Sequence, residues 1–286
     1  FPELAYMFKH ALTHEVTYGS LLQDRRRTLH GRIVETIERL YPDRLPEQIE
    51  RLAHHAFRGE AWEKAVTYLR PAGPKALARS AHREAVGYFE QALTALTHLP
   101  ETRETLEQAI DLRFDLRNSL FPLAEFGRIE RYLREAELLA TTLDDQRRLG
   151  WVSAYICSHH NATGGHATEQ RTFAQRVEAI AKTLGDVPLQ VVAQYYLLLA
   201  CHISGDYHGT EHSCRRLMQL LEGDRTRERF GLAAFPAVVS RAHLARTLAE
   251  RGAFDEGDAH GEEALQMAEA LDHPFSLIDA CLNLGY

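Results

Sequence analysis

Apolar residues recur along most of this chain at the spacing of helix faces. Six segments share one pattern, in which mostly small or apolar side chains stand three, seven and ten residues after a first position. The first positions are Trp62, His82, Phe126, Ala167, Tyr207 and Phe254. Residues with this spacing lie on one side of an α-helix, and small side chains there let a neighbouring helix pack closely. The pattern predicts a helix that begins near each first position.

A preceding apolar helix is predicted for five of these segments. The predicted ranges are 46–58, 106–119, 146–160, 188–203 and 237–251. Residues suited to a turn stand two positions before four of the first positions: Ala124, Gly165, Gly205 and Gly252. From the second segment to the fifth, leaving His82 aside, the first positions lie 41, 40 and 47 residues apart, a period typical of stacked helix pairs. The sequence therefore predicts an all-α solenoid of antiparallel helix pairs.

The start of the chain and three interruptions stand apart from this repeat. Residues 5–8 read as a short extended segment, and residues 11–18 and 21–41 read as two helices. The second of these helices has apolar residues predicted to share one face: Leu22, Leu29, Ile33, Ile37 and Leu40. Pro42 and Pro46 mark a boundary, since proline disrupts a helix interior. For the same reason we expect the stacking to be interrupted at Pro71 and Pro74, and also over residues 223–235.

Two turns resemble those of a known repeat family. The run Gly205-Asp206-Tyr207 with Leu217, and the run Gly252-Ala253-Phe254 with Ala264, resemble tetratricopeptide (TPR) repeats, although the spacing exceeds the family's 34 or so residues. Units of about 40 residues that end as in 184–186 are similar to the longer repeats of large bacterial signalling ATPases. The resemblance implies a right-handed superhelix whose concave wall is lined by the first helix of each pair.

The first 100 residues carry a second resemblance. Residues 8–18 and 25–30 are similar to the end of the winged-helix segment in signal-transduction ATPases with numerous domains (STAND). This resemblance implies a winged-helix remnant over residues 1–45. It implies TPR-like repeats over residues 46–286, of which the last is truncated. Stretches such as 52–55 and 62–66 are similar to relatives that begin with a class III adenylate or guanylate cyclase domain. The resemblance implies a non-catalytic sensor and protein-interaction arm of a cyclase-linked ATPase regulator. It also implies that ATP binds only an upstream domain, so no cofactor is expected in this chain.

The predicted partner is a protein or peptide in the concave groove, together with the protein's own upstream ATPase and output domains. Counting from the first positions gives the residues expected to face inward: Phe114, Asn118, Tyr155, His159, Tyr195, Leu199, His202, Arg246 and Glu250. Aromatic side chains beside arginine and histidine suit a peptide surface. Alternatively, Phe114 and Tyr195 fill the core between helices, as large aromatic residues usually do.

Composition excludes several other classes of protein. The 33 basic and 40 acidic residues give a net charge of −7, which disfavours direct nucleic-acid binding. The longest apolar stretch, 191–203, is interrupted by Gln194 and His202 and is too short to span a membrane. Four cysteines without a C-x-x-C pair favour a reducing, cytoplasmic location. The chain starts without a signal sequence and stops within a helical pattern, so we expect a piece of a longer protein. Residues 274–286 have no second helix to cover their apolar side chains, so we expect them either to self-associate or to fray.

One motif suggests catalysis. His208, Glu211 and His212 match the H-x-x-E-H pattern in which two histidines on one helix face bind zinc and a glutamate acts as a base. The same segment is accounted for as a repeat helix that packs through Thr210 and Cys214. No catalytic or metal-binding residue is therefore assigned. One alternative function is a metal-binding or small-molecule sensor domain of a transcription activator, which would use histidines and tyrosines of the third and fourth units. A more distant alternative is a zinc hydrolase.

Two further clusters in the sequence are ambiguous. Arg25-Arg26-Arg27 could contact a nucleotide-binding domain or a nucleic acid, but with Asp24 beside them they suit a solvated helix face. The adjacent pairs His54-His55 and His159-His160 point about 100° apart on a helix, so the members of each pair do not easily share one metal ion. We interpret these histidines as surface and groove residues.

Overall fold

The computed structural model describes residues 11–165 and 167–285, with side chains from residue 15 onward. Within these ranges the backbone forms α-helices, short 3-10 helices and turns, and it contains no β-strand. None of the helices in the described ranges has the length and apolar character that crossing a bilayer requires. The chain forms two compact units, Phe1–Tyr132 and Leu133–Tyr286.

The first unit is a succession of helices in which neighbours along the chain pack together. They are α1 (Ala11–Ser20), α2 (Gln23–Leu40), α3 (Ile49–Arg58), α4 (Trp62–Leu77), α5 (His82–Leu96) and α6 (Arg103–Leu120), with 3-10 helices at Pro42–Gln48 and Phe121–Leu123. The helix α7 (Phe126–Thr142) begins in the first unit and ends in the second. The helices α3 and α5 both pack against α4, so α4 lies between two neighbours.

The second unit has two layers of helices. After α7 it contains α8 (Gln146–Thr163), α9 (Ala167–Leu184), α10 (Val187–Ile203), α11 (Tyr207–Leu220), α12 (Pro236–Glu250), α13 (Phe254–Ala270) and α14 (Pro274–Leu284). Each helix from α8 to α13 packs on the next, and in addition α10 contacts α8 and α12, while α12 contacts α14. The helices α8, α10, α12 and α14 therefore form one continuous layer, which we call the first-helix layer because each is the first helix of a pair.

All six predicted helix starts are confirmed. Trp62, His82, Phe126, Ala167, Tyr207 and Phe254 are the first residues of α4, α5, α7, α9, α11 and α13. Every residue three, seven and ten positions after them is buried. The five predicted preceding helices are also present, as α3, α6, α8, α10 and α12. The prediction of an all-α fold built from packed antiparallel helix pairs is thus confirmed.

The turns before these helices depend on left-handed backbone conformations. Such a residue stands two positions before five of the six starts: Glu60, Ser80, Ala124, Gly205 and Gly252. In the remaining turn the left-handed residue is Gly164 (φ 69°), so the prediction of Gly165 was wrong by one position. The carboxylates of Asp145, Asp186 and Asp206 then accept a hydrogen bond from a backbone N–H in the first turn of α8, α10 and α11, which satisfies a donor that has no partner within the helix.

The predicted interruption at Pro71 and Pro74 was wrong. The helix α4 continues through both prolines to Leu77. Each proline removes one backbone hydrogen bond, but Leu69, Ala72 and Ala76 are fully buried between α3 and α5 and hold the helix in place. As a result α5 follows α4 directly and has no separate first helix. The predicted break over residues 223–235 is confirmed, since only a 3-10 helix, Gly223–Arg227, forms there.

The apolar face predicted for α2 is only partly correct, since Ile37 is buried and Ile33 half-buried but the three leucines are not. The residues of α2 that are buried are His30, Val34 and Ile37, whereas Leu22, Leu29 and Leu40 are exposed. The cause is the position of α3, which packs against the side of α2 that carries His30. The two predicted helices themselves are confirmed, as α1 and α2. The predicted extended segment 5–8 lies outside the described residues, and the winged-helix identity of 1–45 stays a prediction.

Candidate functional site

The first-helix layer of the second unit carries most of the residues predicted to face a partner. The helix α10 lies at its centre, between α8 and α12 and against α9 and α11. Because it has neighbours on several sides, α10 is apolar around most of its circumference, and eleven of its residues are buried. This packing fixes the few polar side chains that α10 and α12 carry.

A polar cluster joins the end of α10 to the second half of α12. The rings of His202 and His243 meet edge to face, with centroids 4.8 Å apart and an interplanar angle of 89°. Burial, together with the nearby His202 and Arg246, lowers the pKa of His243 to about 3. Burial and Arg246 also lower the pKa of His202, while Glu250 raises it. Both histidines are therefore neutral at neutral pH, and the charges of the cluster belong to Arg246 and Glu250.

A second polar group in this layer links α10 to α14. Asp279 on α14 is half-buried with its Oδ2 atom enclosed, and burial raises the pKa of its carboxyl group to about 6. Burial raises the pKa of Tyr195 on α10, and Tyr196 and the charge of Asp279 raise it further. The Asp279 carboxylate therefore lies within electrostatic reach of the Tyr195 phenol. No cation contributes to the pKa shift of Asp279. A buried carboxylate without a compensating cation is costly in a fold.

Three polar atoms of these groups are buried without a hydrogen-bond partner among the described residues. They are Nδ1 of His202, Nδ1 of His243 and Oδ2 of Asp279. Most buried polar atoms in proteins have a partner, and exceptions mark places where a water, an ion or a ligand completes the hydrogen bonding. All three atoms are enclosed by the fold, so they are polar groups within the layer and not on its surface.

The remaining predicted residues are distributed as follows. Phe114 is half-buried and Asn118 exposed, both on α6 in the first unit. Tyr155 and His159 are half-buried on α8, with their rings 6.0 Å from Trp151 and His160 respectively. Tyr195 is only 8% exposed and belongs to the core of the second unit, against which Leu199 packs. The structure thus brings together His202, Arg246 and Glu250, and places Tyr195 in the core within electrostatic reach of Asp279.

Sequence reasoning missed His243 and Asp279. His243 lies three residues before Arg246 and seven before Glu250, which places it on the face already predicted. The helical period alone was sufficient to include it. Asp279 had no such signal, because its importance follows from its burial and from its approach to a residue 84 positions earlier.

The H-x-x-E-H segment has a different environment from the one zinc chemistry requires. His208 and His212 are exposed in α11. The Glu211 carboxylate accepts hydrogen bonds from Arg215, at 3.1 Å, and from Arg251. In the part of the chain that the structure describes, no three histidine, cysteine, aspartate or glutamate side chains are grouped as metal ligands. Glu211 is thus held in ion pairs between α11 and the end of α12.

Comparisons with known proteins support the fold. No family model matches the chain. An uncharacterized protein, R02095, of Rhizobium meliloti (strain 1021) is 32% identical over 98 residues, which cover 34% of this chain. The matched region is only 10% of that protein's length, so this chain spans a small part of its relative.

Solved structures with TPR-like repeats superimpose on most of the chain. A STAND protein with a tetratricopeptide repeat sensor, from Pyrococcus horikoshii, matches with a TM-score of 0.59 and 14% identity over 96% of this chain and 40% of its own. A Rap protein complexed with Competence and Sporulation Factor matches with a TM-score of 0.57 and 13% identity. The match covers 92% of this chain and 82% of the Rap protein. The Rap conjugation gene regulator of plasmid pLS20, in complex with a Phr peptide, matches with a TM-score of 0.54 and 14% identity. The match covers 77% of this chain and 56% of the regulator. The chain therefore has the fold of TPR-like helical-repeat proteins.

Proposed function

We propose that this chain is a non-catalytic sensor and protein-interaction domain that binds a protein or peptide on the first-helix layer of its second unit. The observation that carries this proposal is the polar cluster on that layer, in which His202 and His243 pack edge to face and Arg246 and Glu250 are exposed. Arg246 and Glu250, exposed beside the histidines, would pair with charged side chains of the partner.

The fold adds support from proteins of similar architecture. Two Rap proteins with this fold were solved as complexes, one with Competence and Sporulation Factor and the other with a Phr peptide. The STAND protein from Pyrococcus horikoshii uses its repeats as a sensor. By analogy, we propose that this chain is the TPR-like sensor of a STAND-type, cyclase-linked regulator in the cytoplasm, with residues 1–45 as the winged-helix remnant and 46–286 as the repeats. ATP would then bind the upstream domain.

Such a sensor must bind its partner differently in two states of the whole protein. A ligand with equal affinity for both states shifts nothing, however tightly it binds. The second unit is suited to this task because its first-helix layer is continuous from α8 to α14, so a partner can contact several helices at once.

The proposal is tested by selecting peptides from a displayed random library on the purified chain and measuring their affinities by fluorescence anisotropy. Arg246→Ala and Glu250→Ala change exposed residues of the first-helix layer. Arg216→Ala and Glu262→Ala are matched controls, because these residues are exposed on α11 and α13 of the other layer. We expect at least one layer variant to weaken binding about tenfold or more. Equal affinities in all four variants would contradict the proposal.

A further inference from the structure

The first unit contains a cavity of about 410 Å³ that the proposed function does not use. It lies where the end of α1 and the start of α2 meet the turn between α3 and α4. The residues that line it are Tyr18, Gln23, Arg26, Arg27, Phe57, Arg58, Glu60 and Trp62. Its size is in the range of sites for small ligands. Three arginines and three aromatic residues among eight lining residues give this cavity a distinct chemistry.

The arginines carry more positive charge than their neighbours neutralise. Arg27 pairs with Glu60, with 3.0 Å between the guanidinium nitrogen and the carboxylate oxygen. Arg26 instead donates hydrogen bonds to two backbone carbonyls, those of Gly19 at 2.7 Å and Leu21 at 2.9 Å. Arg58 is exposed and has no carboxylate partner among the described residues. Two guanidinium charges, on Arg26 and Arg58, are therefore available at the cavity wall.

One of these charges is held in a fixed position. The guanidinium of Arg26 lies 4.7 Å from the centre of the Tyr18 ring, in addition to its two bonds to carbonyls. Fixing the side chain in the free protein lowers the entropy that an anion would otherwise lose on binding there. Guanidinium groups suit phosphate and carboxylate because they can donate two parallel hydrogen bonds.

The aromatic residues form the other wall. Phe57 and Trp62 meet edge to face with centroids 5.8 Å apart. The Trp62 indole also stacks on His98, with centroids 4.1 Å apart and an angle of 9° between the planes. This stacking holds the indole in place beside the cavity. A rigid aromatic wall favours a ligand with a flat ring, because ring pairs gain energy from stacked or edge-to-face contact.

Neighbouring histidines do not add to the positive charge at neutral pH. Nε2 of His30 lies 2.9 Å from the Tyr18 hydroxyl, and Nδ1 of His30 lies 2.8 Å from Nδ1 of His55. Since two protonated rings could not form the second contact, at least one of these histidines is neutral. Burial, together with His54, His30 and Arg51, lowers the pKa of His55 to about 4. The charge of the cavity at neutral pH thus comes from its arginines.

We propose that this cavity binds a small molecule that joins an oxyanion, phosphate or carboxylate, to a flat aromatic ring. The oxyanion pairs with Arg26 and Arg58, and the ring contacts Phe57 and Trp62. The site is separate from the first-helix layer and its proposal does not depend on peptide binding there.

The test uses Trp62 as its own probe. The chain has two tryptophans, so Trp151→Phe leaves Trp62 as the only one. Fluorescence titrations of this variant would use adenosine monophosphate and phenylacetate as the phosphate and carboxylate probes, since neither emits as tryptophan does. Adenosine, benzyl alcohol and inorganic phosphate are controls that lack the anion or the ring. We expect saturable quenching with at least one anionic aromatic probe, and an affinity at least about tenfold above that of its uncharged counterpart.

Substitutions locate the site. Arg58→Gln should weaken binding of the same probe about tenfold or more, because it removes an exposed charge that no other described side chain uses. Arg83→Gln is the matched control, an exposed arginine on α5 that is also without an ion pair among the described residues. Circular dichroism checks that both variants fold. The proposal would be overturned if neither anionic probe bound saturably at millimolar concentration, or if the uncharged probes bound as tightly. Equal effects of the two substitutions would also overturn it.

Discussion

At the scale of single residues, Gly73 shows how closely the helices of the first unit pack. A Cβ atom at this position would lie 2.1 Å from Cζ and 2.2 Å from Cε1 of Phe89, which is fully buried on α5. Only hydrogen fits between α4 and the ring. The next residue, Pro74, was one of the two prolines expected to interrupt the stacking, whereas Gly73 lets the Phe89 ring approach the helix.

Gly73→Ala should destabilise the protein by about 1 to 3 kcal/mol, because the methyl group overpacks the contact with Phe89 by more than the gain in helix propensity. Gly87→Ala is the matched control: it lies in α5, and a Cβ atom there meets no other atom within 4 Å. We expect that control to be neutral or to stabilise by up to about 1 kcal/mol. Urea unfolding followed by circular dichroism measures both, and equal effects would contradict the packing argument.

Two buried titratable residues of the second unit respond to pH in opposite directions. The pKa of His243 is lowered to about 3, so the unfolded chain binds more protons than the folded one below about pH 6.5, and stability falls as the pH falls toward 3. The pKa of Asp279 is raised to about 6, so the folded chain binds more protons between about pH 4 and pH 6, and stability falls as the pH rises through this window.

Asp279→Asn should therefore stabilise the protein at pH 7.5 by about 1 to 3 kcal/mol, because it removes a buried charge. The gain should shrink toward zero near pH 4, where the carboxyl group is protonated in the folded state and about half protonated in the unfolded chain. His243 is present in both proteins, so its contribution cancels in the comparison. Urea unfolding at the two pH values measures the effect, with the exposed Asp258→Asn as a control. A gain that persists unchanged at pH 4 would show that desolvation of the carboxylate is not its cause.

At the scale of helices, the turn before each second helix is built from local interactions. Gly205 adopts a left-handed conformation (φ 72°), and the next residue, Asp206, caps α11 through a 2.9 Å hydrogen bond from the backbone N–H of Gly209. This hydrogen bond lowers the pKa of Asp206, and Arg171 lowers it further. Because these interactions are local, the Gly-Asp-aromatic run could be interpreted from sequence alone.

Asp206→Ala should cost about 1 kcal/mol of stability at neutral pH, since the N–H of Gly209 loses its acceptor. Asp206→Asn keeps an acceptor oxygen in the same place and should cost less. The aspartate's contribution is present at neutral pH and is lost as the pH falls through its lowered pKa, so the gap between wild type and Asp206→Ala should narrow in acid. Thermal unfolding of the three proteins at neutral and acidic pH checks this, and identical melting temperatures would contradict it.

At the scale of the whole chain, the helices of each unit bury their apolar faces against their neighbours, but α14 does so on one side only. Ala280 packs in the core with α12 and α13, and Leu277 packs against it. Phe275, Ile278 and Leu282 are 54%, 56% and 68% exposed. Their spacing places them on one face of the helix. Such a contiguous apolar face favours association with another surface.

We expect the isolated chain to self-associate through this face of α14. Analytical ultracentrifugation over a range of concentrations should show a concentration-dependent dimer or larger species for the wild type. The double variant Ile278→Glu with Leu282→Glu should remain a monomer, whereas Leu138→Glu, an exposed leucine on α7, should associate as the wild type does. A wild type that remains monomeric at high micromolar concentration would exclude this interface.

The helical architecture could be predicted from the sequence because its determinants are short in range. Small side chains at positions three, seven and ten, a turn residue and a capping aspartate each act within one helix or one turn. For this reason all six helix starts were correct, and the residues on the predicted packing face proved to be buried. The same periodicity identified Arg246 and Glu250 as one face of α12.

Only the tertiary structure decided the features that depend on which helix lies beside which. The buried face of α2, the continuation of α4 through two prolines and the approach of Asp279 to Tyr195 all depend on neighbours distant in sequence. So does the cavity of the first unit, which brings Arg26 and Arg58 together although 32 residues separate them. The period of a helix fixes which residues share a face, but the free energy of burial is gained only when another helix covers that face.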